Sequence, residues 1–580
     1  MQKSITGPDA RNTIVHSSLD KSGFLNLNEL VSRNTKFMNI LLIFPPSTIY
    51  GADLTVPAVV PPLGLCYLGG YLEKHGYKKV TILDARSLSK GRVIRDGNRA
   101  LYGLKDDEIE EYIKKVDPDV IGISCMYTAY SGDTHRLAST IKNMDKNIPV
   151  VVGGAHASTF PDLVLKDINV DVVSHYEGEE TFLEVVRAIE SKKGFANVKG
   201  ISYRENGVII KNSPREFIED LDSIPFPARH LVDMNLYLDD EPSVFGMRAP
   251  ATTFITSRGC PQSCVFCTIK TVWDDMNFRS RSPKNVVDEL QHLHENYDIE
   301  EFYWMDDAAG TSKKRLIAIC DEIIERKLDI KWTTPNGIAH WYLDEQVLDK
   351  MKAAGCYRVT FGIESANLET RKYVGKPFPL EQATKMLAHA NKIGLWTICT
   401  FIIGFPVEGE ESIMDTIDYA CNCGTDMAVF YLLCPHPGTD VYEDFQKDGL
   451  LNFEHIFDPA SVNSDEDFEA IGTQLAGRGS STKHLSPAQL NDYVNLGYKR
   501  FFKTRLMNSL NPVRTLRKIH NLEDLKYTIR VGKLGIESAL QSILTGKFFS
   551  QKIMTERVAK KMEKNQERFK NDIKLPLKAS

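Results

Sequence analysis

Two stretches of this chain alternate short apolar runs with helical segments, and no other feature restricts the fold as much. The first stretch begins at Met38. Residues 39–44 (NILLIF) form an unbroken apolar run of the kind parallel strands show when both faces are covered. Residues 79–84, 119–124, 149–152 and 171–174 repeat the signal, and helical segments at 63–75, 107–116, 133–144 and 179–192 fall between them. Five strands with helical crossovers predict a doubly wound parallel sheet, whose ligands sit beyond the carboxyl ends of the strands. The second stretch begins near Ala251. Its strands are predicted at 252–256, 301–305, 330–334, 358–363, 396–403 and 428–433, with helices at 283–296, 312–326, 344–354, 380–393 and 410–421. Six βα units predict a partial, (β/α)6 version of the eightfold barrel, with function again at the carboxyl ends. Between the two stretches, residues 200–204 and 208–211 flank Asn206-Gly207, a hairpin signal. The prolines of SIPFPARH (223–230) then mark a linker. The expected organisation is α/β. A polar extension (1–37) precedes a sheet domain (38–195), a hairpin and linker (196–245), a barrel (246–445) and a mostly helical region (446–580).

Composition bounds the function. At 580 residues the chain has room for two to four domains with sizeable cores. Its 42% hydrophobic and 26% charged residues exclude wholesale disorder and disulfide-scaffold classes. A formal net charge of −6 argues against nucleic acid as a partner held by the global field. The amino-terminal residues lack the apolar core of an export signal. The most apolar long stretch, 56–72, contains Pro57, Pro61 and Pro62 and is too short to span a bilayer, so no transmembrane segment is expected. Eleven cysteines at low density suit a reducing compartment, here the cytoplasm, and metal or catalytic use rather than disulfides. Residues 551–580 carry nine Lys or Arg against four Asp or Glu, which fits a solvated helical face or an anionic docking surface, peripheral membrane contact included.

The strongest chemical signal is Cys260-Pro-Gln-Ser-Cys264-Val-Phe-Cys267, in a loop just past the first barrel strand. Thiolates suit zinc or iron–sulfur. A structural zinc site needs four ligands, and no fourth cysteine or histidine lies nearby in sequence. A cuboid cluster on three cysteines leaves one iron without a protein ligand, free to take an amine and a carboxylate from a bound molecule.

This pattern, with Phe266 before the last cysteine, resembles the radical S-adenosylmethionine family. The resemblance implies that Cys260, Cys264 and Cys267 hold a [4Fe–4S] cluster whose open iron chelates S-adenosylmethionine, cleaving it to a 5′-deoxyadenosyl radical. A low-potential electron donor such as flavodoxin or ferredoxin is then implied. Asp306 and Asp307 match the family's position for the methionine amino group, although either would also cap the next helix. Glu364 and Ser365, in FGIES, resemble the segment that contacts ribose or methionine, and Gly404, in GFP, resembles the adenine-contacting turn. The sixth strand ends in Cys434-Pro-His436-Pro-Gly-Thr, similar to the P-x-P-G-T segment of cobalamin-binding members, so Cys434 and His436 are candidates to face the site. Trp332 and His340-Trp341 could line a substrate pocket or pack the barrel.

The first domain also resembles the cobalamin-binding subclass, through residues 61–68, Val152-Gly153-Gly154-Ala-His156 and Tyr176-Glu-Gly178-Glu179-Glu. Gly153, Gly154 and Gly178 would let backbone approach a corrin or its nucleotide tail. Ser124 and Tyr127 lie on the binding edge of the third strand. His135, in a D-x-H arrangement without the following glycine, and His156 are both expected not to ligate cobalt. The implied activity is methylation of an unactivated carbon in a small or lipid-like substrate, because a carbon radical can take a methyl group from methylcobalamin. The alternatives are a cyclase or rearranging enzyme like the anaerobic cyclase of chlorophyll synthesis, and a corrinoid-binding sensor or scaffold.

Overall fold

The computed structural model describes residues 38–50, 59–89, 92–96, 99–239, 242–243, 245–274, 278–451, 482–509 and 513–545. The readings of 1–37 and 551–580 lie outside them.

The first domain contains strands β1 (Ile40–Phe44), β2 (Ser47–Tyr50), β3 (Val80–Asp84), β4 (Val93–Asp96), β5 (Arg99–Tyr102), β6 (Val120–Ser124), β7 (Val150–Gly153), β8 (Val172–Ser174), β9 (Ile201–Glu205) and β10 (Val208–Lys211). The main sheet runs β10-β9-β8-β7-β6-β1-β3. Its five predicted strands are parallel, with Ile40 of β1 opposite Val80 on one side and Val120 on the other. The apolar runs are explained by burial on both faces. Leu41, Ile43, Ile121, Ile123 and Val152 point to one layer, with Ile109, Ile113, Leu137 and Ile141 from covering helices. Ile40, Leu42, Val120 and Val151 point to the other, against Leu65, Leu72, Phe182 and Val186. The Asn206-Gly207 hairpin forms, but not as a separate linker element: β9 pairs antiparallel with β8 and extends the sheet. A further three-stranded sheet, β2-β5-β4, was not expected. Its β2 is tied down where Thr48 donates from N–H and Oγ1 to the buried Asp133 at 2.6 Å each.

The second domain contains β11 (Ala251–Phe254), β12 (Ser257–Arg258), β13 (Arg279–Ser280), β14 (Glu301–Trp304), β15 (Lys331–Ile338), β16 (Cys356–Glu364), β17 (Trp396–Ile403) and β18 (Met427–Leu432). A six-stranded parallel sheet, β11-β14-β15-β16-β17-β18, is the partial barrel, and β12 pairs with β13 as a short ribbon. The barrel leaves β18 as an edge. The Pro487–Ser509 helix covers it, and the Tyr498 hydroxyl accepts from the Phe430 N–H at 3.1 Å and lies 3.3 Å from its carbonyl. A Cβ at Gly497 would meet the Phe430 ring at 3.2 Å, so close helix–strand approach needs glycine there. The Leu522–Thr545 helix packs at the other end, where Tyr527 meets Tyr357 and Trp396 at the starts of β16 and β17. The described carboxyl-terminal helices therefore support the barrel's edge and base. No helix among the described residues is long and apolar enough to cross a membrane.

Candidate active site

The cysteine loop follows β12. Gly259 turns it with φ +81°, and its N–H donates to Asp307 at 3.3 Å. Cys267 N–H closes the turn on the Cys264 carbonyl at 3.0 Å. Backbone bonds stitch the loop to its surroundings: Val265 N–H to the Val374 carbonyl, and Val441 N–H to the Val265 carbonyl. Cys264 is buried, while Cys260 and Cys267 are partly open. Burial raises all three thiols, Cys267 to about 12, and the ammonium of Lys376 pulls each down. Three soft donors on one loop, each within the influence of the Lys376 ammonium, suit a group that takes thiolates, since metal binding deprotonates thiols outright. Among the described residues, no group of three or more His, Cys, Asp or Glu side chains is gathered for a single metal ion. The fit to a cluster rests on the loop and its surroundings.

Lys376 escaped the sequence reading. It lies twelve residues past Glu364, at the end of a helix, and no spacing rule points to it. Its Nζ bonds Glu364 at 2.7 Å and lies 5.9 Å from the Phe266 ring centre and 5.8 Å from that of Trp341. Burial opposes its charge, but Glu364 and the thiols hold its pKa above the usual lysine value. Glu364 itself sits in the left-handed region, φ +63°. A Cβ at Gly362 would meet its carboxylate at 2.6 Å, so that glycine lets the carboxylate fold back over the strand end. Trp341 stacks on Phe378 at 4.2 Å and 6°, forming an aromatic wall beside Lys376. Trp332 does not line the mouth. It is 1% exposed, packs on Trp304, and its indole donates to the Ala354 carbonyl at 2.8 Å.

The other candidates divide by surroundings. Asp306 is buried and spends its carboxylate on Thr256 N–H, Thr256 Oγ1 and Ser257 Oγ, all within 2.6 Å, so it fastens β11 to β14. Asp307 keeps an open side at the mouth and accepts from the Trp273 indole at 2.9 Å. Desolvation lifts its carboxyl to about 6. Of the two, Asp307 alone is exposed. Ser365 is fully buried against Thr416 at 3.0 Å and holds the chain turn. At Gly404, φ is +107°, and Glu408 accepts from the N–H groups of Gly404 and Phe405. Phe405 packs on Phe266 at 5.9 Å. Cys434 is partly buried and His436 exposed, in a loop that touches the helix Ile269–Val272 behind the cysteines, where Thr271 Oγ1 donates to the Gly438 carbonyl at 3.0 Å.

The sheet's carboxyl edge faces this loop. After β6, Met126 and Tyr127 are 44% and 57% exposed, an apolar ledge of the kind a planar macrocycle covers. Ser124 stands at the start of that ledge, and the Oγ of Ser174, at the end of β8, is buried without a partner. This edge fits a corrinoid. Gly153 leaves its approach open, as the sequence suggested. Gly154 and Gly178 do not: added side chains would meet the Cys125 carbonyl at 2.7 Å and Leu68 at 3.0 Å, so their freedom serves the protein's own packing. His156 is 2% exposed and bonds Thr128 through Nδ1, and burial lowers it to about 3. It packs on the Phe160 ring and is tied to the residue that follows the ledge, with no exposed face of its own. His135 is equally buried, on Asp167 at 2.8 Å.

Glu179 also has a different surrounding from the one expected. Glu177 and Glu179 meet Arg258, two residues before Cys260, at 2.7 and 2.5 Å. Arg279 joins Glu177 at 2.9 Å. Burial would raise the Glu179 carboxyl, but Arg258 overrides it and holds it below the usual range. The turn is thus bolted to the cysteine loop. Tyr176, Phe217 and Trp273 continue the contact as an aromatic series ending on Asp307.

Residues 51–186 match the B12 binding domain family and residues 254–420 the radical SAM superfamily. An uncharacterized methyltransferase of Pyrococcus horikoshii is 36% identical, over 72% of this chain and 85% of its own. Cytidylyl-2-hydroxyethylphosphonate methyltransferase of Streptomyces wedmorensis is 32% identical over 72% and 84%. Anaerobic magnesium-protoporphyrin IX monomethyl ester cyclase of Rubrivivax gelatinosus is 28% identical over 72% of each. The cobalamin-dependent S-adenosylmethionine radical enzyme OxsB shares the fold with a TM-score of 0.60, at 17% identity, over 95% of this chain and 82% of its own. With a corrinoid-binding sheet bolted to a three-cysteine barrel loop, and relatives alike along both, the chain belongs to the cobalamin-dependent radical S-adenosylmethionine enzymes.

Proposed function

We propose that this enzyme methylates an unactivated carbon of a small-molecule substrate in the cytoplasm, drawing electrons from a low-potential donor protein. The observation that carries the reading is the Arg258–Glu179 bolt: it ties the strand leading into the cysteine loop to the turn after β8, at the sheet's carboxyl edge. Cys260, Cys264 and Cys267 would hold the cluster. Asp307 and the Glu364–Lys376 pair would orient the amine, carboxylate and hydroxyl groups of S-adenosylmethionine. Met126, Tyr127, Ser124 and Gly153 would seat the corrinoid. When bound, these groups supply a substrate-activating radical and a transferable methyl. The protein's part is placement and exclusion of water, because small displacements of reacting atoms lower rates by orders of magnitude.

Anaerobic turnover with candidate substrates tests this. Methyl transfer requires 5′-deoxyadenosine, S-adenosylhomocysteine and methylated product in about equal amounts. The similarity to the cyclase favours a second reading, in which 5′-deoxyadenosine forms without S-adenosylhomocysteine and the product is cyclised or oxidised. Either outcome decides between them.

A further inference from the structure

The Leu522–Thr545 helix buries Tyr527 against the barrel base, with Val531 packed beside it. Its outward side is formed by residues 522, 525, 526, 529, 533 and 536, one face at three- and four-residue spacing. Four of these are large aliphatics: Leu522, Leu525, Ile529 and Ile536 are 66%, 37%, 61% and 63% exposed. The other two are Lys526 and Lys533. An outward face of a surface helix ordinarily carries the polar residues, and this one carries no acid. Leu506, Met507 and Leu516, just before it in the chain, are exposed as well. Residues 499–537 hold ten Lys or Arg against three Asp or Glu, in a chain whose net charge is −6. Three of those bases are spent on the barrel, Arg500 with Asp418 and Arg505 and Lys518 with Asp426, and two of the acids turn inward or pair away, Glu523 with Arg248 at 2.6 Å and Asp524, buried, with His520.

We propose that this face docks on an anionic phospholipid bilayer. The aliphatics enter the headgroup–acyl boundary, and the lysine stems lie along them with their ammonium groups among the phosphates. Charge selects the occupant. A second copy would set Lys526 and Lys533 against a face with no acid to receive them, whereas a lipid surface supplies the anions. The face lies at the amino-terminal ends of the strands and the site at the carboxyl ends. Docking therefore anchors the enzyme while the mouth stays open to water. The inference does not depend on which reaction the mouth performs.

Co-sedimentation of the full-length chain with vesicles tests it. The chain should pellet with vesicles of equal parts phosphatidylcholine and phosphatidylglycerol, more weakly in high salt, and not with pure phosphatidylcholine. The Ile529→Glu/Ile536→Glu and Lys526→Glu/Lys533→Glu variants change only exposed positions, and circular dichroism should report a native fold for both. Each should weaken binding to the anionic vesicles by about tenfold or more. The proposal is overturned if the native chain does not pellet, or if the Ile529→Glu/Ile536→Glu variant pellets as the native chain does. A native dimer that the same variant dissociates, seen by sedimentation velocity, would assign the face to a second copy and also overturn it.

Discussion

Asp306 and Asp307 are adjacent in sequence and opposite in surroundings, and the difference is set by which side chain turns into the barrel. A sequence shows that two carboxylates end the strand. It does not show that Thr256 and Ser257 consume the first. The same holds for Ser365, legible as a polar residue at a strand end but occupied by Thr416. The three cysteines were legible because their spacing lies within one loop. Replacing Cys260, Cys264 and Cys267 by Ala should remove protein-bound iron and sulfide and abolish reductive cleavage of S-adenosylmethionine. Corrinoid binding should persist, since the ledge at Met126 and Tyr127 is built by the other domain. Glu408 gives a pH-dependent test. Its buried carboxyl is lifted from 4.5 to about 7, burial outweighing the two N–H bonds it accepts. A raised carboxyl contributes its full stability below the unfolded value, near 4.5, and loses it as pH rises through the folded value, near 7. Ionisation above pH 7 therefore costs up to about 3 kcal/mol. Glu408→Gln keeps an acceptor for Gly404 and Phe405 without the charge. The variant should match the parent near pH 4.5 and unfold at higher denaturant concentration near pH 8. Equal midpoints at pH 8 would show that Glu408 is not raised.

The elements legible in the sequence are those whose pattern is fixed by burial on both faces. NILLIF became β1, and residues 396–403 became β17 without adjustment, because such runs have one stable setting in a covered parallel sheet. The β2-β5-β4 sheet was not legible: its strands are four residues each, and β2 is held in part by a side chain 85 positions away, Asp133. The hairpin was legible as a hairpin but not as an addition to the sheet, since pairing with β8 depends on tertiary register. At the barrel's open side, Tyr498 does for β18 what a neighbouring strand would do, covering a backbone edge that would otherwise recruit another chain. Tyr498→Phe removes the acceptor for the Phe430 N–H and leaves the ring in place. The expected loss is about 1 kcal/mol by chemical denaturation. Amide exchange should quicken at Phe430, with the amides of β1 unaffected. Unchanged exchange at Phe430 would mean that the hydroxyl does not close the edge.

At the scale of the whole molecule, the domains are joined by charges taken out of water. Arg258 and Arg279 stand opposite each other on the β12–β13 ribbon and reach together to Glu177 and Glu179. Sequence reasoning placed Glu179 at the corrinoid and did not single out either arginine, because the four residues meet only through the fold, with 79 positions between Glu179 and Arg258. Buried ion pairs contribute little net stability compared with apolar replacements, yet removing one partner is expensive, about 3–5 kcal/mol, because a charge is left unpaired. Arg258→Met alone should therefore destabilise strongly, and so should Glu179→Leu. Combining the two removes both charges and should recover much of the loss, a coupling measurable by a double-mutant cycle. The functional consequence differs from the stability consequence. The double variant keeps the cysteines, Asp307, Lys376 and the sheet edge, but releases the loop from the turn that carries Glu179. Cleavage of S-adenosylmethionine needs only the barrel side and should continue at a rate near that of the parent. Methyl transfer needs the two sides held in register and should fall by at least about tenfold, given how steeply rate depends on alignment. The ratio of 5′-deoxyadenosine to methylated product should rise accordingly, whereas a merely structural bolt would lower both together. A refolded, stable double variant with the parent's product ratio would show that Arg258 and Glu179 hold the domains together without setting the geometry of transfer.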